Sequence, residues 1–568
     1  MKHFTIAMGG EAGYGINSTG LTFSKIAVRS GYNIFNYFEY PSIIRGGHTL
    51  FRSTFSEDKL YSSYSTIDFL VAMNQDSMNI DTAFLREGGY VLYDSAQVKS
   101  LPNNVGKFHA IDVPLAKIAT DTGSMLLRDT VVLGAVGAIL GVDKDLMKEM
   151  VNEEYKRKDD NIREQNVKAI EAGYDFAVKN FSSEIKSLLV KKDSVEKKMV
   201  ITGNEAASLG ALTAGMQFTA IYPMTPITNI LHTLAPLQNE YNFVYKQPED
   251  EISAVTMAIG ASFAGARSMT ATSGGGYCLM TEAVGLAGIT ETPLVIIEGM
   301  RGGPSTGMPT WTEQPDLRFV LHGNHGEIPK IVLTASDPED LYKIVFDAFN
   351  LADKYQTPVI VMIDKQICES HFCIEPFKNP GKIERGQYTE KSIVNYNRFT
   401  FEQNGISLRA PAGSENHVLA NSDEHTEDGY TSEDAMVRDK MMSKRMIKMD
   451  TCRKEDMKGP VWYGPSDAKL TIVAWGSTKG AILEAMKELP GVNLLHFSWM
   501  SPFPSEEAKI ELAKARKLLN IEGNYSAQFG GLLAEMTGIR IEDNLLKTDG
   551  RPFFPEELIS EINKRLNV

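Results

Sequence analysis

Three polar side chains stand out for the company they keep. Thr225 lies inside Tyr222-Pro223-Met224-Thr225-Pro226, where two prolines restrain the backbone around one hydroxyl. Glu251 follows Glu249 and Asp250 at the start of a stretch of small residues. Arg301 opens the run Arg301-Gly302-Gly303-Pro304-Ser305-Thr306-Gly307. A guanidinium fork suits a planar carboxylate, and a carboxyl group at the mouth of a helix can hold or relay one proton. Each residue also has an ordinary reading: a strand-ending turn, acids that favour a helix N-terminus, and a structural ion pair.

The elements that must position them follow a strand–helix alternation. A short apolar strand at 217–221 runs into the proline turn. The helix expected over 252–264 carries Ala254, Ala258, Gly260, Ala261, Ala264 and Gly265, so another backbone or a flat ring can come close to it. A strand at 268–273 leads to Gly274-Gly275-Gly276, and a second small-residue helix runs to 289. The segment 294–298 reads as a strand buried on both faces. Arg301 stands just past its C-terminal end, where open α/β sheets bind ligands. Strands are expected again at 330–333 and 358–363.

The first part of the chain starts the same alternation separately. An apolar strand at 4–8 enters Gly9-Gly10-Glu11-Ala12-Gly13-Tyr14-Gly15, and a helix follows over 18–29. Strand, glycine turn and helix can cradle a phosphate, with Gly10, Gly13 and Gly15 letting the backbone approach. The spacing matches neither a dinucleotide fingerprint nor a P-loop, so a plain tight turn is the competing reading. Strands at 69–73, 90–93 and 107–111 fit a doubly wound sheet, and 130–140 reads as a buried helix. The loop from Tyr40 to His48 is aromatic, basic at Arg45 and glycine-rich, which suits a ligand or subunit contact as well as a turn. A charged helical stretch spans 146–186, and 187–198 reads as a linker.

Past residue 385 the pattern is lost. Residues 388–460 are polar and irregular, apart from a basic helix over 439–448. Glu424-His425-Thr426-Glu427 lacks the paired histidines of a zinc helix. Strands resume at 470–476, 492–497 and 517–522.

Bulk properties narrow the function classes. The chain has 568 residues, enough for three or four domains, and a formal charge of -14 that argues against nucleic-acid binding. No apolar run reaches the roughly 18 residues that span a bilayer, and the N-terminus lacks the layout of a signal peptide. The four cysteines, Cys278, Cys368, Cys373 and Cys452, form no Cys-x-x-Cys pair. That usage points to a reducing cytoplasm and to no four-cysteine iron–sulfur site or metal site in this chain. Cys368 and Cys373 are expected to be buried.

Taken in order, Tyr222-Pro223-Met224-Thr225-Pro226, Glu249-Asp250-Glu251-Ile252-Ser253-Ala254, Thr272-Ser273-Gly274-Gly275-Gly276 and Arg301-Gly302-Gly303-Pro304-Ser305-Thr306-Gly307 resemble the alpha subunit of 2-oxoacid:ferredoxin oxidoreductases. The N-terminal glycine region is similar to that family's gamma domain fused ahead of alpha. Met224 stands where the family often has Ile, a volume-conserving change. The resemblance implies a multidomain α/β fold. Its parts are a gamma, CoA-region domain (1–190), a thiamine pyrimidine-binding domain (191–385), an irregular arm (386–462) and a transketolase C-terminal-like domain (463–568).

It further implies thiamine diphosphate shared between this chain and a beta subunit, which would hold the diphosphate, Mg²⁺ and a [4Fe–4S] cluster. Glu251 would face the pyrimidine ring, with Glu249 as runner-up. Tyr222, Pro223, Gly274 and Gly275 would line the thiamine side, Thr225 and Arg301 would hold the 2-oxoacid, and Gly10, Gly13, Gly15 and Arg45 would lie in the CoA region. The reaction implied is oxidative decarboxylation of a 2-oxoacid with CoA and ferredoxin in an (alpha-beta)₂ heterotetramer. The fused arrangement leans toward 2-oxoglutarate; pyruvate, branched-chain or aryl 2-oxoacids are the alternatives. A reading from another class is a nucleotide-binding regulatory or scaffold protein built on the N-terminal glycine loop.

Overall fold

A computed structural model describes residues 3–43, 46–102 and 107–566. The chain divides into two compact units. One comprises Met1–Ile201, Ser370–Pro376 and Phe554–Glu557; the other comprises Thr202–Glu369, Phe377–Phe553 and Leu558–Val568.

The first unit is built on an eight-stranded sheet. Phe4–Glu11, Ile67–Ala72, Leu85–Tyr93 and His109–Asp112 run parallel. On the other side of Phe4–Glu11, the strands His48–Ser56, Asn33–Glu39, His371–Ile374 and Met199–Ile201 pair antiparallel in turn. The sheet is therefore mixed, a parallel half continued by an antiparallel one. Its edge takes in Met199–Ile201, which pairs with His371–Ile374, which itself pairs with Asn33–Glu39. The expected helix over 130–140 is Arg128–Leu140, buried from Thr130 onward. The charged stretch is two helices, Lys144–Glu154 and Asp160–Asn180, because Asp143 and Asp159 each cap a separate start through their side chains.

The second unit holds two sheets. In the seven-stranded sheet the order is Trp499–Ser501, Ile331–Thr334, Pro358–Asp364, Leu294–Met300, Ser268–Ser273, Phe218–Ala220, Val244–Lys246. All neighbours are parallel except the edge strand Trp499–Ser501. Leu294–Met300 is central and buried at every position, as expected of a parallel strand covered on both faces. The five-stranded sheet contains Leu470–Trp475, Val492–Phe497 and Leu518–Glu522, the three C-terminal strands expected from sequence.

The polar arm contains more order than its composition suggests. A helix spans Ala435–Glu455, capped by the Asp434 side chain, and it buries Lys444, Arg445 and Lys448. Lys444 donates to Glu291 at 2.5 Å and Lys448 donates to the same carboxylate. Arg398 adds a 2.6 Å bond to the Glu291 carbonyl oxygen. A helix that buries its lysines has no apolar stripe to reveal it, which is why only part of it was legible.

Candidate active site

The site grows from the C-terminal ends of the parallel strands. Helix Glu251–Phe263 starts at Glu251 because Asp250 caps it, accepting from the Ser253 amide at 2.7 Å. Glu251 is 3% exposed, and its Oε1 accepts no hydrogen bond among the described residues. Directly above it lies Gly276. A Cβ there would come within 2.8 Å of Glu251 Oε1 and 2.0 Å of Thr272 Oγ1, so only glycine lets helix and carboxyl meet. Glu249 is exposed and accepts from Ser253 Oγ at 2.7 Å, occupied in stabilising the helix start.

Arg301 follows the central strand. Its Nη1 donates to the Thr225 carbonyl oxygen at 2.7 Å. The proline turn and the guanidinium, far apart in sequence, are thus joined. Burial lowers the Arg301 pKa from its ordinary value, while Asp316 opposes the shift. A cavity of 480 Å³ opens here, lined by Met224, Gly274, Gly275, Cys278, Arg301, Asp316 and Phe319 among others. A Cβ on Gly275 would meet nothing within 4 Å, so that backbone faces open space. Arg301 and Asp316 are the two charged side chains among its described lining residues. Tyr222, Pro223 and Thr225 are half-buried in the turn and are not among those residues; the Thr225 carbonyl meets Arg301 and leaves its hydroxyl for another partner.

Sequence reasoning missed the acids around Glu298 and Asp316. Glu298, in the central strand, is fully buried, and burial with neighbouring acids holds its carboxyl well above the ordinary range. Burial pushes Asp316 up to about 6, with Glu298 and Arg301 pulling the other way. Burial also raises Glu313 to about 7, against a hydrogen bond from the Gly303 amide. Asp364, at the end of Pro358–Asp364, is raised to about 6 by burial and accepts from Ser477 Oγ. The available signal was a glutamate inside an otherwise apolar strand.

In the first unit, Gly13 and Gly15 line a separate cavity of 400 Å³ with Asn17, Ser18 and Tyr40. Both glycines have positive φ, and Gly15 precedes helix Ile16–Arg29. Gly10 does not line it. It continues the strand, paired with Thr49, and accepts from Thr49 Oγ1 at 3.0 Å. Arg45 lies outside the described residues. A Cβ on Gly15 would sit 2.2 Å from Asp129 Oδ2, so a carboxylate already stands at this helix start. A larger cavity, 700 Å³, lies among Lys25, Arg29, Glu153 and Glu154, whose charges pair with one another.

Among the described residues, no three histidine, cysteine, aspartate or glutamate side chains gather as a metal site, and no helix is long and apolar enough to cross a membrane. Glu424 is held by Arg438 and Arg445 instead, and His425 is buried against Phe399. Cys368 and Cys373 are buried as expected.

The second unit thus places a half-buried guanidinium past a central parallel strand, and a buried carboxyl with one unpartnered oxygen at the start of a small-residue helix. Comparison with known proteins gives the family. Residues 209–444 match the family described as pyruvate flavodoxin/ferredoxin oxidoreductase, thiamine diphosphate-binding. Residues 5–176 match the pyruvate ferredoxin/flavodoxin oxidoreductase family. The 2-oxoacid:ferredoxin oxidoreductase subunit alpha of a Sulfolobus species is 33% identical, covering 97% of this chain and 95% of its own. The 2-oxoglutarate oxidoreductase subunit KorA of Mycobacterium tuberculosis is 28% identical over 98% of this chain and 91% of its own. The solved 2-oxoglutarate:ferredoxin oxidoreductase from Magnetococcus marinus, with 2-oxoglutarate, coenzyme A and succinyl-CoA bound, superposes with a TM-score of 0.92 at 28% identity, covering both chains fully. The chain belongs to the 2-oxoacid:ferredoxin oxidoreductase alpha subunits, and so is a subunit of an oxidoreductase enzyme.

Proposed function

We propose that this chain supplies the 2-oxoacid clamp and the pyrimidine-side carboxyl of a thiamine diphosphate-dependent enzyme that converts a 2-oxoacid and CoA to acyl-CoA and CO₂ while reducing ferredoxin. A beta subunit supplies the diphosphate and Mg²⁺ site and a [4Fe–4S] cluster, in an (alpha-beta)₂ assembly in the cytoplasm. The observation that carries this reading is the buried Glu251 carboxyl, with its unpartnered Oε1 beneath Gly276, beside the cavity into which Arg301 opens. Those residues fit a flat ring whose nitrogen meets a carboxyl group.

When bound, thiamine diphosphate supplies the nucleophilic carbon and the electron sink of the reaction. Glu251 holds the proton at the ring-nitrogen position. Arg301, its plane set by the Thr225 carbonyl, grips the substrate carboxylate through its remaining N–H groups. Thr225 offers its hydroxyl to the same substrate. Tyr222, Pro223, Gly274 and Gly275 shape the wall on the thiamine side. The Gly13–Gly15 cavity, with Gly10 and Arg45 on either side in sequence, is the candidate CoA region.

2-Oxoglutarate is the first substrate to test, in line with the full-length relatives named for it. A second reading, for pyruvate or a branched-chain or aryl 2-oxoacid, rests on the cavity lining, where Arg301 is the one cation among the described residues. The deciding experiment is co-purification with the beta subunit and turnover on a panel of 2-oxoacids with CoA and ferredoxin. The chain alone should be inactive; decarboxylation without a partner would sink the shared-site reading. Preference for pyruvate over 2-oxoglutarate would favour the second substrate.

A further inference from the structure

Glu298 is an acid in a place that does not accommodate a charge. It is 0% exposed, in the central strand, and neither carboxyl oxygen receives an N–H or O–H from any described residue. Its neighbour is another carboxyl group, that of Asp316: strand pairing sets Thr272 opposite Glu298 and Ser273 opposite Gly299, and the next residue, Gly274, packs against Asp316. Two carboxyl groups in contact away from water cannot both be ionised, so at least one proton lies between them. Burial decides which group keeps it. Glu298 has no solvent and no cation, whereas Asp316 reaches the cavity that also holds Arg301.

The backbone is shaped to admit Asp316. A Cβ on Gly274 would come within 2.4 Å of Asp316 Oδ2, and Gly274 is the first residue of helix Gly274–Ile289. The anionic form of Asp316 therefore stands at a helix N-terminus, which favours it. Among the described residues, Arg301, Glu313 and Cys278 lie near Asp316, and Tyr277, Cys278, Asp364 and Cys368 near Glu298. Arg301 is the cation among these described groups.

We infer that the Glu298–Asp316 pair is a proton-linked counter-charge for Arg301. In the free enzyme the pair holds one proton, and the Asp316 carboxylate balances the guanidinium. When a substrate carboxylate binds Arg301, Asp316 takes a second proton from solvent, so that one cation never faces two anions in a confined cavity. The proton returns to solvent when the carboxylate departs as neutral CO₂. Asp316 and Glu298 are thus positioning residues that act through Arg301. The inference rests on the carboxylate-clamp reading of Arg301 and adds to it a proton count.

The test is calorimetric titration of oxamate, an unreactive 2-oxoacid analogue, into the purified complex with the beta subunit, at about pH 7.5 in two buffers of different ionisation enthalpy. The wild type should take up close to one proton per oxamate, and its Kd should weaken about tenfold per pH unit above neutrality, as linkage to one proton requires. Asp316→Asn should abolish the uptake and flatten that dependence. Glu298→Gln keeps a neutral donor to Asp316, so uptake should persist while the oxamate-free complex loses the infrared carbonyl stretch of one protonated carboxyl. Oxamate binding without proton uptake, uptake surviving in Asp316→Asn, or an infrared band unchanged in Glu298→Gln would each overturn the inference alone. No oxamate binding by the wild type would overturn the clamp reading and this inference with it.

Discussion

Arg301 Nη1 donates to the carbonyl oxygen of Thr225 at 2.7 Å, tying the proline turn to the end of the central strand. The bond uses one donor of a five-donor fork and sets the plane of the rest. Arg301→Ala should raise the KM for the 2-oxoacid far more than it lowers kcat. A lost charged hydrogen-bond pair costs about 2–3 kcal/mol, roughly 30- to 150-fold in KM. Arg301→Lys should rescue little, because a point charge cannot hold the turn and a carboxylate in one plane. Steady-state kinetics on the complex with the beta subunit check this; an unmoved KM would leave Arg301 a structural role only.

Glu251 has a different signature. Glu251→Gln should slow exchange of the thiazolium C2 proton of bound thiamine diphosphate, followed by proton NMR after quenching. Glu249→Gln should leave exchange unchanged, since Glu249 is exposed and engaged with Ser253. The reverse pattern would transfer the role to Glu249.

Glu291 anchors the arm. It meets Lys444 and Lys448 with no solvent around it, and these cations and Arg398 hold its carboxyl far below the ordinary range despite burial. Burial lowers Lys448 to about 7, against the pull of Glu291. Removing one member of a buried ion cluster leaves charge uncompensated and costs about 3–5 kcal/mol. Glu291→Gln should therefore lower the urea midpoint and open the 386–434 segment to limited proteolysis. An unshifted midpoint would mean that the helix Ala435–Glu455 is held by other contacts.

His496 predicts the acid limit of stability. It lies in strand Val492–Phe497, and burial lowers its imidazole to about 3. The folded pKa is below the unfolded value, so below about pH 6.5 the unfolded chain binds a proton that the folded chain refuses. Its contribution is fully present above about 6.5 and is lost as pH falls toward about 3. At pH 5 this amounts to about 2 kcal/mol. Urea unfolding at pH 7 and pH 5 checks the slope, and His496→Asn should reduce the part that depends on His496.

Much of the site was legible before any coordinate was known. The strand at 294–298, the small-residue helices and the order of turn, carboxyl and guanidinium all follow from local signals. Glycine and proline announce turns, apolar runs announce buried strands, and small residues announce close approach. The helix Ala435–Glu455 was read only in part because its buried face is charged, so the apolar periodicity that marks most helices is missing. Gly10 was grouped with Gly13 and Gly15 by spacing, yet the strand runs on through Glu11 and gives Gly10 a packing role.

By itself the sequence determined the elements, their order and the residue types available at strand ends, because these depend on neighbours a few positions apart. Only the tertiary structure decided which side chains meet. It joined Arg301 to Thr225, placed Gly276 on Glu251, and brought the buried Glu298 near Asp316, which lines the cavity. Whether a carboxyl group is charged depends on the water and ions removed around it, and that is a property of packing that no local pattern carries.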